Sequence, residues 1–104
     1  MPATFRVEVT AYAKADIAEI WEYIAQESPE KATVLILALE EEITSLQQVP
    51  ERCPRIPENE ILGTSYRHLL RGPYRAIFRV TGSSVVVLRV IHGARLLDTS
   101  FLAQ

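Results

Sequence analysis

Two turns constrain most of what this chain can become. Gly72-Pro73 and Thr81-Gly82-Ser83-Ser84 divide its C-terminal third into three short stretches, residues 66–71, 74–80 and 85–92, rich in alternating or β-branched side chains. Links that short join antiparallel neighbours, so the three stretches form a β-meander. Upstream, residues 4–10 set Phe5, Val7 and Val9 against Arg6 and Glu8, the period of a half-buried strand. Between these regions the period changes to 3.6. Ile17, Ile20, Trp21 and Ile24 make one apolar stripe over residues 13–26, with Trp21 expected in the core. Ala32, Leu35, Ile36, Leu39, Ile43 and Leu46 make a second over residues 29–48. Ser28 suits a helix N-cap and Pro29 the first helical position, and so short a link implies an antiparallel helical hairpin. Residues 50–63, with three prolines, read as a connecting loop, and 94–104 carry no assignment.

The expected fold class is therefore α+β, in the order β-α-α-β-β-β: a mainly antiparallel four-stranded sheet with the helical hairpin packed on one face. A chain of 104 residues, 48% hydrophobic, suits one domain over residues 1–104 and one core. Cys53 is the single cysteine, which excludes an internal disulfide framework. Two scattered histidines and that thiol lack metal-ligand spacing, so no metal is expected. Isolated glycines make neither a phosphate loop nor a dinucleotide fingerprint, so no cofactor is expected. The longest apolar run, residues 34–39, is far short of a bilayer span. The expected location is the cytoplasm, without a membrane partner. Ser65, His68 and Asp98 can be assembled into a nucleophilic triad on paper, but no strand-to-helix nucleophile elbow accompanies them; His68 reads as a structural histidine under the helices.

Charge is distributed unevenly. Residues 1–60 carry 5 basic and 12 acidic residues, whereas residues 61–104 carry 6 arginines and 1 acid. Strand alternation sorts the arginines if the helix-covered face is the one without charges. Arg67, Leu69 and Arg71 then share the uncovered face with Arg75, Ile77 and Arg79, and with Val85, Val87, Arg89 and Ile91. A face both cationic and aliphatic is poorly satisfied by water. Either the 50–63 loop or the tail folds over it, or it docks an anionic, partly apolar partner. The docking reading is the one adopted, with Arg75 pointing outward and dispensable for stability.

Three segments, "AKADIAEIWEYIAQESPEKA", "YRHLLRGPYRAIFRV" and "VVVLRVIHGARLLD", resemble in order the RelE/ParE superfamily, the toxins of type II toxin–antitoxin pairs. The HGAR ending and the long hairpin resemble the ParE branch, whose members inhibit DNA gyrase and are not enzymes. The resemblance implies a cognate antitoxin, a small protein with an acidic binding segment laid across the uncovered face, and gyrase as target. The alternative is a RelE-like, ribosome-dependent messenger RNA endoribonuclease, in which Arg75, Arg95 and His92 would be catalytic. This sequence departs from that branch: no lysine cluster follows the second helix, and Phe101 stands where a tyrosine would serve. A second alternative is a non-toxic cationic binding module with the same fold.

Overall fold

The computed structural model describes residues 4–97; Asp98 and Phe101 lie outside the described residues. Strand β1 (Arg6–Val9) leads into helix α1 (Ala11–Ala25) and helix α2 (Pro29–Thr44). A short helix, α3 (Asn59–Leu62), interrupts the expected loop and precedes β2 (Arg67–Arg71), β3 (Tyr74–Thr81) and β4 (Ser84–His92). The strands lie side by side in the order β1-β4-β3-β2. β2–β3 and β3–β4 pair antiparallel, and β1 pairs parallel with β4. A parallel pair needs a long crossover, and the helical hairpin is part of it.

Local chemistry fixes both helix starts. Thr10 Oγ1 accepts the Ala13 amide at 3.1 Å. Ser28 Oγ accepts the Lys31 amide at 3.2 Å, and Pro29 opens α2. Each cap satisfies an amide that has no partner within the helix. The left-handed backbone of Gly72 and Gly82, with φ of 55° and 58°, closes the two hairpins without the steric penalty a side chain would add. Among the described residues no helix is long and apolar enough to cross a membrane.

The main core lies between helices and sheet. Ala13, Ile20, Leu39, Ile43 and Leu46 meet Leu69, Ala76, Phe78, Val85, Val87 and Val90, with Phe5, Val7 and Val9 packed alongside. Trp21, expected inside, is exposed; Ala13, Asp16 and Ile20 occupy the buried side of α1 instead.

Two expected face assignments are reversed, for different reasons. In β4, Ile77 stands opposite Arg89 but Phe78 stands opposite Val87, which leaves Leu88 as an extra residue. Such a bulge reverses side-chain parity along the strand. Val85 and Val87 therefore face the helices with Val90, while Ile91 faces away. In β2, Leu69 stands opposite Ala76 in the main core, so Arg67 and Arg71 share its helix-side parity and His68 does not. β2 is an edge strand, and its arginines leave the core at the rim: Arg67 Nη1 donates to the Cys53 carbonyl at 2.6 Å, and Arg71 lies 3.9 Å from Glu42 of α2. Long cationic side chains cross an apolar border in this way. Absence of charge is thus a poor guide to the inward face of an edge strand.

Candidate functional site

The sheet face turned away from the helices is divided into a closed half and an open half. On the closed half, Ile77 and Ile91 join Ile56 and Leu97 in a second apolar cluster, with Leu62 and Tyr66 against it. The expected docking surface is covered there by the chain itself, through the 50–66 segment and the stretch that ends at Leu97. Asn59 shapes the cover. Its Nδ2 donates to the Tyr66 carbonyl at 2.9 Å, and its Oδ1 accepts from the Tyr66 amide and the Thr64 hydroxyl.

Arg75 sits at the centre of that half. It is 3% exposed, against Glu58 at 6%. Its guanidinium grips both oxygens of Glu58: Nη1 donates to Oε1 at 3.2 Å and Nη2 to Oε2. Nη2 also donates to the Arg95 carbonyl at 2.7 Å, and the Leu97 amide donates to Glu58 Oε2 at 2.8 Å. His68 Nδ1 lies 3.2 Å from Arg75 Nη1. A guanidinium only donates, so the imidazole accepts through Nδ1 and carries its proton on Nε2. The bonds from Arg75 hold the Glu58 carboxyl down at about 2. Burial, then the neighbouring guanidinium, lowers the pKa of His68. Arg75 was expected to point into solvent and be dispensable. Parity places it on the far face as expected, but the loop closes over it and makes it a buried ion pair.

A second pair fastens α1 to the sheet. β1 ends opposite Val87, and α1 takes over the β4 edge beyond it. Asp16 accepts from Arg89 Nε and Nη2 at 2.7 and 2.8 Å and from the Val90 amide at 2.9 Å. The Arg89 pKa rises through this contact. Asp16 and Glu58 were not singled out from the sequence. Asp16 had left a signal, since it occupies the buried stripe with Ala13 and Ile20, where an acid requires a partner. Glu58 left none, being one carboxylate among several in an irregular segment.

The remaining candidates scatter. Leu69 and Val87 belong to the main core, and Ile77 and Ile91 to the covered cluster. Arg79 is exposed on the open half, where Arg6 and Glu8 of β1 are exposed too. His92 and Arg95 reach the sheet rim and line a cleft of ≈ 290 Å³ with Tyr23, Tyr74, Asp16 and Glu19. The His92 ring meets Tyr74 edge-on at 5.7 Å, and its Nδ1 accepts the Ala94 amide at 3.1 Å. A larger groove of ≈ 580 Å³ runs between α2 and the end of β2, lined by residues that include Lys31, Val34, Leu35, Ala38 and Arg71. The structure thus brings together Arg75 and the Arg95 backbone, and separately sets His92 and Arg95 on the lining of one cleft, but it forms no continuous arginine-rich face.

Comparison with known proteins agrees with this architecture. The model of the ParE toxin of type II toxin–antitoxin systems matches residues 7–97. A solved structure described as the chromosomal ParDE toxin–antitoxin system from P. aeruginosa superposes with a TM-score of 0.68 at 29% identity, covering 86% of this chain and 96% of that one. A second, the toxin–antitoxin complex RelBE2 from Mycobacterium tuberculosis, shares the fold at 23% identity and a TM-score of 0.60, covering 89% and 95% of the two chains. No match was found among curated protein sequences. With nearly its whole length matched by the family model, the chain belongs to the ParE toxin family of type II toxin–antitoxin systems, within the RelE/ParE superfamily.

Proposed function

We propose that this toxin is a non-enzymatic inhibitor of DNA gyrase, acting in the cytoplasm and neutralised by a cognate antitoxin with an acidic binding segment. The burial of Arg75 carries this reading. Cleavage of RNA by its own 2′-hydroxyl needs a cation free to meet an anionic phosphorane and a group that moves a proton. Arg75, the arginine that a ribonuclease would use, spends its fork on Glu58, and freeing it would strand a buried carboxylate. Exposed cations that can meet a protein target or antitoxin include Arg79 and Arg6 on the sheet and Lys14 and Lys31 on the helices.

The rim cleft favours a second reading, the ribosome-dependent endoribonuclease. His92 and Arg95 converge there beside Tyr23 and Tyr74, and a histidine is suited to proton transfer near neutral pH. One pair of assays separates the two. Purified chain added to gyrase should inhibit DNA supercoiling and leave ribosome-bound messages intact. Message cleavage that His92→Ala abolishes, with gyrase unaffected, would establish the ribonuclease. Expression without growth arrest or either lesion would leave a binding module.

A further inference from the structure

The helical hairpin presents an outer face that the core does not use. Ala13 and Ile20 mark the buried side of α1, and the helical period carries Lys14, Ala18 and Trp21 round towards solvent. All three are exposed. The chain turns back between Ala25 and Pro29, which sets Trp21 level with Thr33 and Lys14 level with Glu40. Lys14 and Glu40 accordingly border one hollow. Leu37 lies one turn beyond Thr33 on the outer side of α2 and is 61% exposed, against 39% for Trp21. Among the described residues, neither Trp21 nor Leu37 belongs to an apolar cluster of the fold. Carboxylates surround this patch. Residues 11–44 carry 8 acidic and 2 basic residues. Glu22, Glu30, Glu40 and Glu41 are exposed, and none of them is in an ion pair among the described residues. At one end, a hollow of ≈ 360 Å³ opens between the helices, lined by Val9, Ile17 and Ile43 beside Glu40 and Lys14.

We infer that the toxin meets its protein target through this outer face, and that the target offers it a basic, partly apolar patch. The inference rests on the gyrase reading above and deepens it by placing the contact. A tryptophan outside the core is the kind of side chain that concentrates binding energy once a partner excludes water from it. Carboxylates without a partner around it select a cationic surface and repel an acidic segment. The antitoxin, acidic in its binding segment, is therefore directed elsewhere on the molecule. The hollow takes one long basic side chain, with its methylenes against Val9, Ile17 and Ile43 and its charge at Glu40. The acidic and basic parts of the sequence thus serve two partners of opposite sign.

The test uses the full chain, purified DNA gyrase and the product of the neighbouring open reading frame. Trp21→Ala should raise the concentration that half-inhibits supercoiling by ~10- to 100-fold. Glu40→Lys combined with Glu41→Lys should raise it about tenfold. Both variants should melt with the unmodified chain and still bind the neighbour product. Added salt should weaken inhibition by the unmodified chain more than by the double variant. Ile61→Lys, exposed on α3, should inhibit as the unmodified chain does. Fluorotryptophan gives a single reporter, because Trp21 is the one tryptophan. Its fluorine resonance should shift or broaden with gyrase and hold with the neighbour product. Full inhibition by Trp21→Ala and by the double variant, with a resonance that gyrase leaves unmoved, overturns the placement and leaves the gyrase reading standing. A resonance moved by the neighbour product assigns the face to the antitoxin, and dimers that Trp21→Ala disperses assign it to a second copy; either result overturns the placement. An unmodified chain that does not inhibit gyrase overturns the gyrase reading and this inference with it.

Discussion

Arg75 and Arg79 lie four residues apart on one strand and face the same side of the sheet, yet their surroundings differ completely. Arg79 stands opposite Val86 on the open half and is exposed. Arg75 stands opposite Ile91, and the loop, His68 and the Arg95–Leu97 backbone close around it. The lesson is that sheet parity assigns a side but not an environment. A surface argument built on alternation holds only where no other part of the chain returns to cover the strand.

The contrast can be broken most severely at Arg75. Arg75→Ala should destabilise by about 3–5 kcal/mol, because it abandons Glu58 in a buried site. Phe78→Ala, on the opposite side of the same strand, should fall in a similar range through the cavity it leaves, about 3–5 kcal/mol. Replacing Arg75 and Glu58 together by methionine and leucine should recover much of the Arg75→Ala loss, since no buried charge then lacks a partner. Thermal melts of the single and double variants check this. If Arg75→Ala melts with the unmodified chain, the loop does not close over the strand.

Acid provides a graded version of the same test. The unfolded Glu58 carboxyl takes up its proton near 4.5, and the folded one only near 2. Between those values the unfolded state binds more protons, so falling pH favours unfolding. The contribution, on the order of 3 kcal/mol, is present above pH 4.5 and lost towards pH 2. His68 acts in the same direction at higher pH. Its folded pKa lies below the usual 6.5, so stability begins to decline as pH falls through 6.5. Denaturant titrations from pH 7 to pH 3 should show both limbs. Glu58→Gln should remove the lower one, and His68→Asn the upper.

Asp16→Ala should cost about 2–3 kcal/mol, because Arg89 and the Val90 amide lose one charged acceptor together. Arg79→Ala should be smallest, within about 0.5 kcal/mol in thermal stability. If Arg79 serves a partner, the same variant should flatten the salt dependence of binding. A large stability loss at Arg79 would erase the distinction between the two halves.

The hairpin, its Ser28-Pro29 cap, the meander and the inward side of β1 were legible because each depends on neighbours in sequence. The exposure of Trp21 is not legible in the stripe, since helical periodicity gives direction but not how far the sheet beneath it extends. Parity in β4 is not legible because the Leu88 bulge leaves no mark in a run of valines and leucines. The closed half was illegible for a deeper reason. Arg75 and Glu58 are 17 residues apart, and His68 and the Arg95–Leu97 stretch complete the cluster from two further places. No periodicity connects positions of that kind. Asn59, which shapes the cover, looks like any polar residue in a loop.

The parallel pairing of β1 with β4 has a consequence for the order of events during synthesis. Thr10 and Leu88, joined by a hydrogen bond at the end of that pairing, are 78 residues apart. Phe5, Val7 and Val9 therefore leave the ribosome long before the strand they need, a delay of roughly 4–16 s at ordinary translation speeds. The helical hairpin can form meanwhile from local contacts, but the sheet cannot close until its central strand has been made. A message truncated before β4 yields a chain whose first strand has no strand partner, so assembly of the sheet waits for β4 to be translated.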